Sequence, residues 1–207
     1  IGDVDSQFSH IGMIHIDRAG KHWVVEALIE DGAVVNTLDH VLQHGIGRAA
    51  LFRHKDTALA QRAAEMIHAH VERSRERWFG RILYDFSMSL TGAKQLFCSK
   101  LVRLAFEMAS GGRVQLPTYK TQLSHANQDF LNRIGVKARE TFAPADIELE
   151  SDFELIAEWA DHRVTSDLRL QDMALSKMFE WMEDDGWRFQ EDFLIRLVGW
   201  FGRFSAT

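Results

Sequence analysis

A chain of 207 residues suits one domain, or one domain with an appendage, and 46% hydrophobic with 26% charged residues is the balance of a soluble globular protein. A lone cysteine excludes an internal disulfide, no apolar run approaches the ~20 residues of a membrane helix, and the opening "IGDVDSQFSH" lacks the basic-then-apolar pattern of a signal peptide. A net charge of −6 argues against nucleic acid as the main partner.

The opening also lacks an initiator Met, so removal of an upstream segment is expected. "HIGMIHI" (10–16) is apolar and β-branched and predicts a strand that begins at His10. "DRAGK" has turn chemistry, "HWVVEALIE" (22–30) predicts a second strand, and "DG" at 31–32 signals a hairpin into a third, "AVVNTL" (33–38). A short helix, "LDHVLQHG", and a fourth strand, "RAALFRH" (48–54), follow. Residues 56–78 predict a long amphipathic helix capped by Asp56 or Thr57. Another helix runs from Cys98 to a stop at Gly111 and Gly112, with Leu101, Leu104, Ala105 and Met108 as its buried face. "SHANQDFLNRIG" predicts a further helix, and the tail predicts three, over 152–163, 166–184 and 190–204.

Strands followed by helices imply an α+β fold with an antiparallel sheet packed on helices. Residues 1–144 carry 18 basic and 15 acidic side chains, whereas 145–207 carry 6 and 15. The shift falls near Pro144. It predicts a body over 1–144 and an acidic, all-helical extension over 145–207 packed on it. The last helix of that extension, Glu191 to Phe204, is rich in aromatics, which suit either a core or a partner surface.

Cys98 opens its helix. A helix N-terminus presents unpaired N–H groups and partial positive charge, which favour the reactive thiolate. Cys98 also lies three residues before Leu101 on the apolar stripe, and free cysteines are among the most buried residues, so position alone favours a structural thiol. A nucleophile needs a base, and the base an orienting partner. With the first hairpin turning near Ala19, paired positions sum to about 38. His10 then lies opposite Leu28 and Gly12 opposite Glu26. His10 and Glu26 become a diagonal pair on one face, with no side chain at Gly12 between them. A one-residue slip would make His15 the alternative base. His40 and His44, at i and i+4, suit a metal on a helix face but lack a clear third ligand, so no metal is assigned. The remaining scattered charges read as surface.

"FSHIGMI", "WVVEALIEDGAVVNTLDHVL", "LFRH", "YDFSM" and "FCSKLV", in that order, resemble the YiiX/YebB-like proteins, permuted papain-fold cysteine hydrolases of the NlpC peptidase superfamily. The resemblance covers roughly residues 1–110. It implies Cys98 as nucleophile, His10 as general base, Glu26 as the residue orienting it, and Tyr84 as a donor to the oxyanion. It implies no metal or organic cofactor. The chain departs from the family at Phe97, where an aromatic hydroxyl is usual, and at Lys100, where an acidic residue is common. The implied substrate is a peptide amide of the bacterial cell wall, or a lipid acyl bond as in the lecithin retinol acyltransferase group. Peptidoglycan lies outside the cytoplasm, so an antibacterial effector exported by a dedicated system, with an inhibitor or immunity protein as partner, is one expectation. A non-enzymatic binding module with a structural Cys98 is the rival class.

Overall fold

A computed structural model describes residues 8–43, 46–77, 80–120, 136 and 140–187. The helices expected over 124–135 and 190–204, and His44, lie outside the described residues. Strands β1 (Met13–Ile16), β2 (His22–Leu28) and β3 (Gly32–Thr37) form one antiparallel sheet in the order β1-β2-β3. Met13 pairs with Val25 and Ile16 with His22, so the register sums to 38 as expected. The strand starts later than expected, however. Pairing begins at Met13, and His10 lies just before β1 rather than in it. A Cβ at Gly12 would meet Val24 Cγ1 at 3.0 Å and Val25 O at 3.2 Å, so this segment approaches β2 closely and a side chain there would press its neighbours back by a few tenths of an ångström. β2 is the central strand, and Val24 to Ala27 are all buried.

Helix α1 (Leu38–Gln43) leads to β4 (Arg48–His54) and then to α2 (Thr57–Arg75). Asp56 is the N-cap of α2, and its side chain accepts the Leu59 N–H at 2.9 Å. Leu59, Ala63, Ala64, Ile67 and Val71 form the buried face of α2, which packs on the three-stranded sheet and on α3 (Cys98–Ser110). The parallel pair β5 (Leu83–Tyr84) and β6 (Gln95–Leu96) delivers the chain to α3. The buried face of α3 is Leu101, Val102, Ala105 and Phe106. Leu104 and Met108, expected in it, are only partly buried, because α3 faces both α2 and β2. Gly111 ends α3 at φ +64°, and the Gly112 N–H bonds the Glu107 carbonyl at 2.8 Å.

Short strands β7 (Tyr119–Lys120) and β8 (Glu140–Thr141) pair, a 3-10 turn covers Pro144–Leu149, and Phe142 and Ile147 enter the core. The helix expected over 152–163 is instead strand β9 (Phe153–Ala160), antiparallel to β4 from Arg48↔Ala160 to His54↔Phe153. Pairing of β9 with β4 overrides the helical propensity of "ELIAEWA", and Arg48 bonds Glu158 across the pair at 2.7 Å. The tail is therefore not all-helical. Helix α4 (His162–Asp184) follows β9. The chain divides into two compact units, 1–165 and 166–207, so residues 145–165 lie in the first unit rather than in a tail beginning at 145. Among the described residues no helix is long and apolar enough to cross a membrane.

Candidate active site

Three elements converge at the N-terminus of α3. Cys98 is its first residue, with Phe97 as an N-cap whose side chain makes no capping bond. The first N–H groups of the helix therefore keep the partial positive charge that favours a thiolate. The segment before β1 brings His10, and β2 brings Glu26. His10 Nε2 lies 2.8 Å from Glu26 Oε2, and the imidazole also hydrogen bonds Cys98. With Nε2 on Glu26, Nδ1 is the ring nitrogen left for the thiol. The diagonal pairing of His10 and Glu26 on β2 thus persists although His10 precedes the strand.

Burial shapes each group differently. Cys98 is 7% exposed and Glu26 4% exposed, whereas the His10 side chain is 40% exposed. Burial alone would raise the Cys98 thiol. The His10 hydrogen bond and charge, the Ser99 hydroxyl and the Ile11 N–H outweigh it and lower the thiol below its ordinary value. Burial alone would lower His10, but its bonds to Cys98 and Glu26, and their charges, raise it from 6.5 to about 9. Glu26 is likewise pushed up by burial and held below its ordinary range by His10 and Asn36. The arrangement favours a thiolate–imidazolium pair at neutral pH.

Asn36 was not singled out in the sequence. It stands on β3 opposite Val24, diagonal to Glu26, and its Nδ2 donates to Glu26 Oε1 at 2.9 Å. One carboxylate oxygen thus holds His10 and the other is fixed by an amide. A lone amide in "AVVNTL", on the same face as Glu26 once the "DG" hairpin is paired, was the available signal. Tyr84 ends β5 opposite Leu96, two residues before Cys98. Burial, with the charges of Cys98 and Asp85, pushes its hydroxyl up to about 12, so it stays protonated and can donate. His15 is not brought to Cys98: its ring stacks on His68 at 4.5 Å. His40 lies close enough for its charge to act on Glu26.

Residues 3–157 match the model of a family described as permuted papain-like amidase enzymes, YaeF/YiiX, C92 family. The chain belongs to this family. Membership in the permuted papain-like amidases accords with the chain order, in which the sheet bearing Glu26 precedes the helix bearing Cys98. The fold also aligns with the crystal structure of metalloprotein yiiX from Escherichia coli O157:H7, at TM-score 0.55 and 21% identity, over 75% of this chain and 86% of that one. No curated protein matches the chain. The Escherichia coli protein is described as a metalloprotein; among the described residues of this C92 chain, no group of three or more His, Cys, Asp or Glu side chains is arranged to hold a metal ion.

Glu26 bonds His10 and Asn36 bonds Glu26, so neither is a reacting group and the loss of either should cost less than the loss of one. Glu26→Gln should lower kcat, though by less than Cys98→Ala or His10→Ala, and Asn36→Ala should lower it by less again. Steady-state kinetics of both variants check this. A loss at Asn36 as large as that of Cys98→Ala would contradict a supporting role.

Proposed function

We propose that this C92-family chain is a cysteine hydrolase that cleaves an amide bond through an acyl-enzyme, with peptide amides of peptidoglycan as its substrate class. The observation that carries the reading is His10, bonded on one side to Cys98 at a helix N-terminus and on the other to the buried Glu26. A structural thiol has no need of a base so oriented.

The chemistry follows from the geometry. The Cys98 thiolate attacks the carbonyl carbon, and the carbonyl π electrons move to oxygen. N–H groups of the first turn of α3 and the Tyr84 hydroxyl stabilise that oxyanion. The tetrahedral adduct collapses, the C–N bond breaks, and the imidazolium of His10 gives its proton to the leaving amine. Neutral His10 then takes a proton from water, which attacks the thioester and releases the acid and Cys98. Glu26 fixes the ring orientation and favours the imidazolium throughout. Action on peptidoglycan requires export beyond the cytoplasm, as for an antibacterial effector, and an inhibitor protein is then the expected partner.

The test is incubation of wild type and Cys98→Ala with purified peptidoglycan and, in parallel, with a panel of acyl lipids and acylated peptides. Release of new amines and carboxylates from peptidoglycan by wild type alone supports the reading. Release of fatty acid, with peptidoglycan intact, moves the assignment to a deacylase of the lecithin retinol acyltransferase type. Slow alkylation of Cys98 until the protein unfolds, with no release from any substrate, returns it to a binding module.

A further inference from the structure

Lys100 lies two residues past Cys98, and a lysine is by type among the residues least often buried. It is buried instead, its side chain 5% exposed. Its ammonium donates to Asp85 Oδ2 at 2.7 Å and to the Thr91 carbonyl at 2.9 Å. Asp85, 6% exposed at its side chain, directly follows Tyr84. The other carboxylate oxygen of Asp85 accepts the Ser87 N–H at 3.1 Å and the Ser87 hydroxyl, and the Asp85 N–H reaches the Leu96 carbonyl at 3.2 Å. One ammonium therefore ties together the first turn of α3, the residue after Tyr84, and the middle of the segment 85–94 that joins β5 to β6. In that segment Met88 adopts φ +54°, a conformation a side-chain-bearing residue holds only when its surroundings fix it.

A buried ion pair loses solvation on both charges, and well-packed apolar residues in its place are often as stable. Stability alone therefore gives no reason for Lys100. Position does. Of the two places it joins, one adjoins Tyr84, which lies near enough to feel the charge of Cys98, and the other is the helix turn that carries Cys98. Oxyanion donors act only when held in place before the charge develops.

The geometry points to Lys100 as a positioning residue: its buried pair with Asp85, and its bond to Thr91, hold Tyr84 and the 85–94 segment against the turn that carries Cys98. Lys100 touches no reacting atom. The inference rests on the hydrolase reading of the site and adds the device that sets its oxyanion donor.

The experiment uses the full chain and p-nitrophenyl acetate as acyl donor. Lys100→Met/Asp85→Asn removes both charges and leaves no unpaired buried ion. It should fold, and amide hydrogen exchange should quicken across 86–94 while the α2 core keeps its protection. Its kcat should fall by about 10–100-fold, the scale of a displacement near 1 Å, with KM within about twofold. The pH profile of Cys98 alkylation by iodoacetamide should stay that of wild type, because His10 and Glu26 are untouched. In a Tyr84→Phe background the same double substitution should cost little further, since the donor it positions is gone. Asp85→Glu keeps both charges while shifting the carboxylate by one methylene, and should show the same fall in kcat; it decides the matter if the neutral pair does not fold. Wild-type kcat in a folded variant, or unchanged exchange across 86–94, overturns the inference. So does an additive loss in the Tyr84→Phe background. Absence of Cys98-dependent ester turnover in wild type would count against the hydrolase reading instead, and the exchange measurement would still decide whether Lys100 fastens the segment.

Discussion

Cys98→Ala should lower amide or ester turnover by roughly 10⁴-fold or more, and His10→Ala should do nearly the same. In the proposed mechanism the two act as one unit: without the thiolate nothing attacks, and without the imidazolium the amine leaves unprotonated. Neither change should unfold the protein. Cys98 sits at the first position of α3, and the helix is held by Leu101, Val102, Ala105 and Phe106 rather than by the sulfur. His10 lies outside the strand ladder with its side chain 40% exposed. Turnover measured beside thermal unfolding separates the possibilities. Full activity in Cys98→Ala would place the chemistry elsewhere. Collapse of the fold in the same variant would mark Cys98 as a core residue.

The second large effect concerns pH. Alkylation of wild-type Cys98 should remain fast well below the ordinary thiol pKa of ~8.5, because His10 stays charged up to about 9 and holds the thiolate. The sign of the linkage is set by the directions. His10 is raised, so its share of stability is complete below 6.5 and is lost as pH rises through about 9. Cys98 is lowered, so its share is present above the ordinary thiol value and is lost as pH falls through its depressed folded value. The paired state therefore occupies the window between the depressed thiol and about 9. In His10→Ala the largest remaining influence on Cys98 is burial, which raises it. Its alkylation at neutral pH should slow by more than about tenfold, and the profile should move to or beyond that of an ordinary thiol. Iodoacetamide rates across the pH range read this directly. A wild-type profile already matching a free thiol would remove the basis for an activated nucleophile.

Much of this protein was legible where the determinants are local. The β-branched run in "HWVVEALI", the turn residues of "DRAGK" and the "DG" hairpin set the register of β1, β2 and β3 within a few residues of chain, and that register places Glu26 beside Gly12. Asp56 and Gly111 mark their helix ends because capping is a contest among neighbouring backbone groups. The juxtaposition of His10 and Glu26 followed from that same hairpin arithmetic.

What the chain's pattern left open was decided by partners distant in sequence. "FELIAEWA" contains good helix formers, and only pairing with β4, about a hundred residues earlier, makes it a strand. The charge shift at Pro144 does not coincide with the division of the structure into compact units, which falls after Thr165. Asn36 became part of the site only when β3 lay beside β2. Lys100 and Asp85, each an ordinary surface charge by composition, became buried because each compensates the other's lost solvation, a term that exists only once the segment 85–94 and α3 are folded together. Residue type set which groups could do chemistry here; tertiary packing set which of them meet, because desolvation and pairing energies depend on neighbours that the local sequence does not contain.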